Sequence, residues 1–91
     1  MDENKLCDEV ARAARAERLL NDTLFTECVE KVRQAYIARW QITPPTAERE
    51  REQLYLSLKA LEQVMNEITN VANSGKMAKV MLERAYKHQA N

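Results

Sequence analysis

Apolar side chains recur from Leu54 through Leu58, Leu61, Met65 and Ile68 to Ala72 at intervals of four, three, four, three and four. Only a helix that buries one narrow face keeps such positions aligned over about five turns, and the alternation is the heptad pattern of helix-on-helix packing. A second frame, Leu61, Val64, Ile68, Val71, Gly75, Ala78, Leu82 and Ala85, continues the stripe one position displaced. A helix of 3.6 residues per turn drifts in this way against a repeat of 3.5. The frame runs straight through Asn73, Ser74 and Gly75, which also look like a helix C-cap. Continuity through this point is the favoured reading and a break at Gly75 stays open. A continuous helix over 46–88 would span roughly 60 Å at 1.5 Å per residue.

Two shorter helices precede it. Residues 3–20 are strong helix formers with acids first and bases later, but their large apolar side chains are few: Leu6, Val10, Leu19 and Leu20. Asn21, Asp22 and Thr23 interrupt them, each able to cap the free amides that open a second helix over 22–41. In that helix Leu24, Phe25, Cys28, Val29, Val32, Ala35, Tyr36 and Trp40 fall within an arc of about 160° and are expected to form its core face. Pro44 and Pro45 stop it, Thr46 offers a capping hydroxyl, and Glu48, Glu50 and Glu52 place negative charge where the next helix's amides point.

The predicted fold is therefore all-α: an antiparallel helical hairpin with one long helix and an additional N-terminal helix, in a single helical domain over 1–91. The second helix, about 30 Å long, covers only half of the third. The remainder needs the first helix folded back, or a second chain; the strict seam of Leu54, Leu58, Leu61, Met65, Ile68 and Ala72 favours the second chain, giving a coiled-coil-like homo-oligomer, a dimer or higher.

Composition sharpens this picture. Hydrophobic residues make up 45% and charged residues 31% of the 91, with one Gly and two Pro, the balance of a folded helical chain. Fourteen basic and fourteen acidic residues cancel, so no global field draws the chain to nucleic acid or an anionic membrane. Only the stretch after Asn73 is clearly basic, with Lys76, Lys79, Arg84 and Lys87 set against Met77, Ala78, Met81, Leu82, Ala85 and Tyr86. This helix is a candidate contact for nucleic acid or a protein partner. Having only Tyr86 available for stacking makes nucleic acid the second choice. No apolar stretch has membrane length, so no membrane partner is expected.

Cys7 and Cys28 are too few and too far apart for a disulfide framework, and are expected as small buried hydrophobes in a reducing cytoplasm. Arg39 lies inside the apolar arc of the second helix and is expected to pair with Glu48 or Glu52 or with a neighbouring subunit. Catalytic constellations are missing. His88 is the only histidine, Ser57 and Ser74 lack a nearby base in sequence, one glycine cannot build a phosphate-cradling loop, and no set of ligands has metal spacing. The expectation is a protein that is not an enzyme and holds neither cofactor nor metal.

Leu19, Leu20, Asn21, Asp22, Leu24 and Phe25, then Tyr36, Trp40, Thr43 and Pro44, then Arg51, Glu52, Leu54, Leu58, Ala60 and Leu61, and last Gly75 and Lys76 form a spaced signature over roughly 17–82. In it the chain resembles a group of short uncharacterised helical proteins encoded by tailed bacteriophages and prophages. Thr23 stands where proline is expected in that group. The resemblance implies a phage origin and a place among virion or packaging genes; the expected setting is the host cytoplasm or the virion, with another phage or host protein as a binding partner. It implies no activity. The first helix and the basic tail lie mostly outside it.

Overall fold

The computed structural model describes residues 2–90, which form three helices and no strand: α1 Glu3–Asn21, α2 Thr23–Ile42 and α3 Glu48–Ala90. The fold is all-α, as the sequence predicts. α3 runs unbroken through Gly75 for 43 residues, and its length sets the longest dimension of a thin molecule of 69 × 25 × 15 Å.

Chain reversal between α2 and α3 follows from the two prolines. The Ala47 amide donates to the Pro44 carbonyl at 3.0 Å, and the Ala47 carbonyl accepts the first bond of α3 from the Arg51 amide at 3.1 Å. Ala47 rather than the expected Thr46 thus stands at the cap position of α3. Thr43, buried beneath the turn, donates its hydroxyl to the Arg39 carbonyl at 2.6 Å. Arg51 reaches back to close the turn: Nη1 donates to the Thr43 carbonyl at 3.1 Å and the guanidinium lies 4.6 Å over the Trp40 ring.

α1 and α2 do not form separate layers; they follow one another along α3, both antiparallel to it. The Gln89 side-chain amide donates to Glu3 at 3.3 Å, Ala13 faces Gly75, Leu19 adjoins Ile68 and Val71, Arg33 reaches Glu62 at 3.8 Å, and Arg39 meets Glu50 at 3.1 Å. The second arm of the hairpin is therefore a helix broken at one residue, Asp22. Its extended backbone (φ −75°, ψ 114°) ends α1 with an amide bond to the Leu19 carbonyl at 3.2 Å. Its carboxylate then accepts from the Phe25 amide at 3.1 Å to cap α2. α1 folds back over the far half of α3, so that half finds its cover within the chain.

The two halves pack by different means. Between α1 and α3 the contact is made by small residues: Ala13, Ala16, Ala72 and Ala78 are buried, together with Leu6 at 3% exposure. Gly75 sits at the closest point, where an added Cβ would collide with the Ala13 Cβ and lie 3.3 Å from the Glu9 carbonyl oxygen. Its φ is not in the left-handed region, so what glycine supplies here is room and not backbone freedom. Between α2 and α3 the side chains are larger and the fit is looser: α2 has no buried residue.

Candidate interaction surface

The seam residues of α3 all point into the hairpin. Ala72 is buried, and Leu54, Leu58, Leu61, Met65 and Ile68 are half-buried against the two short helices. It is a packing seam within the chain, incompletely covered along the α2 half. The basic residues Lys76, Lys79, Arg84 and Lys87 are all exposed on the α1 half of α3, and none enters the ion pairs found among the described residues.

Only part of the arc predicted as the core face of α2 is core. Phe25, Val29 and Tyr36 are half-buried, joined by Ile37, whereas Leu24, Cys28, Val32, Ala35 and Trp40 are exposed. The reason is geometric: a helix with a single neighbour buries a narrow stripe, and an arc of about 160° needs two neighbours. Cys28 lies on the uncovered flank and Cys7 on the outer side of α1, so both thiols are exposed and not buried as expected. Arg39 pairs with Glu50, not with Glu48 or Glu52; at about 100° per residue Glu50 lies on the α3 face turned towards α2, while the other two point away.

These features separate the α2–α3 half into two faces. On one, Tyr36, Ile37, Trp40, Leu54, Tyr55 and Leu58 line an open apolar groove of about 340 Å³. The same face carries the Arg33–Glu62 pair at 3.8 Å and the Lys59–Glu62 pair at 3.3 Å. Flanking charges of this kind hold register more than they stabilise, since exposed pairs contribute about 0–1 kcal/mol. On the other face, helix register gathers Leu24, Cys28, Val32, Ala35 and Ile42 from α2 with Leu56, Ala60 and Val64 from α3, around the Arg39–Glu50 ion pair. These apolar residues are all exposed, Leu24 at 68%, Ile42 at 77% and Val64 at 57%. The Leu24–Ala35 flank, expected in the core, is thus bare, and Leu56 belongs to neither apolar frame of α3. The signal that finds the surface is the surplus width of the α2 arc over what one neighbour covers.

Among the described residues no three His, Cys, Asp or Glu side chains come together as a metal-binding group, and no helix is long and apolar enough to cross a membrane. The arrangement defines an all-α hairpin, closed tightly at the end that carries its termini and open along the half next to its turn. No family model, curated protein or solved structure matches the chain.

Proposed function

We propose that this chain works by protein–protein contact and not by catalysis, as a self-associating assembly or accessory factor of phage type. Its phage character rests on the residue signature over 17–82, and its place of action would be the host cytoplasm or the virion. The observation that carries self-association is the exposed area. The chain presents 7348 Å² to solvent, against roughly 5,500 Å² for a compact monomer of this mass. Its radius of gyration is 19.6 Å, where about 12 Å is usual. Large apolar side chains contribute to the surplus, among them Leu24, Ile42, Leu56, Val64 and Met77. The half-covered seam of Leu54, Leu58, Leu61 and Met65 would then finish its burial in a coiled-coil-like oligomer.

Sedimentation equilibrium at micromolar concentration tests this. A mass at a multiple of 10.6 kDa supports it, and a lone chain at every concentration overturns it.

A second reading is favoured by one observation, the exposure of Lys76, Lys79, Arg84 and Lys87, none of them in an ion pair among the described residues: a small nucleic-acid-binding module. It requires binding to DNA or RNA that weakens steeply with salt and is lost when all four become Gln.

A further inference from the structure

Beyond Asn70, α3 rests on α1, with Gly75 against Ala13 and Gln89 bonded to Glu3, and its other side faces solvent. At about 100° per residue from Gly75, Arg84 points directly away from α1, with Met77 and Val80 within about 40° of that direction. Met81 and Lys87 lie about 60° out on opposite sides, and Lys76 about 80° out beside Lys87. All six are exposed, Met77 at 67%, Val80 at 45% and Met81 at 41%. Three cations thus surround three apolar side chains on one helix face. From Asn70 to His88 the sole acid is Glu83, and it stands at the border, one turn from Lys79 and one from Lys87. At the near end Glu9 and Glu67 border the face beside Ser74, accompanied by Arg12. Face and borders together hold five bases against three acids, so the field over the methionines is positive.

We infer that this face docks an acidic amphipathic helix of another protein, whose apolar side chains pack on Met77, Val80 and Met81 while its carboxylates reach Lys76, Arg84 and Lys87. The inference rests on the protein–protein reading above and gives it a partner chemistry, on a surface separate from the Leu54–Met65 seam. Charge complementarity selects an acidic partner. The exposed apolar side chains select a protein among acidic partners. Phosphates draw on the cations alone, so a nucleic acid leaves the methionines and Val80 uncovered. Nor does the face hold a ring on which a base could stack, since Tyr86 lies on the α1 side of the helix. Methionine suits a surface that accepts a partner, because its unbranched, polarizable side chain adapts to the shape laid on it. The intervals of three and four from Met77 through Val80 and Met81 to Arg84 and Lys87 form a ridge of about 15 Å, the form that packs into the groove of another helix.

The test measures binding of a labelled synthetic peptide by fluorescence anisotropy to the full chain. The peptide is a helix of about three heptads with leucine at the a and d positions and glutamate and alanine elsewhere. A scrambled peptide of the same composition and a DNA duplex of similar length serve as comparisons. The designed helix should bind at least about tenfold more tightly than the scrambled peptide and more tightly than the duplex, with affinity falling as salt rises. Met77→Gln with Met81→Gln, and separately Arg84→Gln with Lys87→Gln, should each weaken binding about tenfold or more. All four positions are exposed and glutamine is a good helix former, so circular dichroism and sedimentation should not change. If one double variant loses helicity, the other and the scrambled peptide decide. Absence of peptide binding, equal binding of the scrambled peptide, methionine variants that bind as the wild type does, or preference for the duplex overturns the inference and leaves self-association standing. Methionine variants of changed oligomeric mass but intact helicity assign the face to a second copy, which overturns it as well. A monomeric wild-type chain that binds the designed helix supports it and overturns self-association alone.

Discussion

Gly75 shows how much a single missing methyl group can decide. A Cβ there meets the Ala13 Cβ of the opposing helix, and the nearby Glu9 carbonyl belongs to a backbone that cannot step aside alone. Alanine at 75 would gain about 1 kcal/mol of helix propensity, but forced overpacking typically costs about 1–3 kcal/mol and here acts on the tightest contact of the molecule. Gly75→Ala is therefore expected to lower stability, and the exchange Gly75→Ala with Ala13→Gly to recover most of the loss; urea unfolding of the three proteins measures both effects. The sequence frame through Gly75 made a close helix approach readable. The identity of Ala13 as the residue approached was not readable, because it depends on the register of a helix more than fifty residues away in the chain. Arg39 illustrates the same limit. An acid early in α3 was foreseen as its partner, but choosing Glu50 over its neighbours required knowing which side of α3 faces α2.

At the scale of helices, bulk is a poor guide to grip. α1 has few large apolar residues, yet every buried apolar residue belongs either to it or to the stretch of α3 it covers. Alanine and glycine let two backbones approach until many weak contacts form at once, while the larger side chains of α2 hold its axis away from α3. Among the described residues Leu6 is the one large side chain buried in that contact. Leu6→Ala is expected to cost about 2–5 kcal/mol, and hydrogen exchange should show the protection of α1 falling more than that of the middle of α3. Helix limits were legible from sequence because the signals that set them are local: Asp22 as a cap, Pro44 and Pro45 as a stop. The width of the α2 arc was legible too. Its division between a covered and a bare flank was not, since hydrophobic periodicity reports that a face needs burial without saying how many neighbours supply it.

For the whole molecule, the broken arm and the unbroken arm are nearly equal in reach, 19 and 20 residues joined at Asp22 against the 43 of α3. This match produces a long, thin body with a high ratio of surface to volume, and it is why self-association belongs to this scale. A chain this elongated exposes apolar residues that no local rearrangement can hide, short of abandoning the hairpin. Mass in solution is accordingly the measurement on which the functional proposal turns.

The break at Asp22 has a further bearing on how the hairpin tolerates change. Because the alanine-lined end zips the first helix to the later turns of the third, those two helices are anchored to each other and the Pro44–Thr46 bend is not the clasp. Pro44, Pro45 and Thr46 are all solvent-facing, so extra residues spliced into the bend would lengthen the connection without touching the clasp. Bulky additions along the first helix would instead prise open the part of the molecule that keeps it folded.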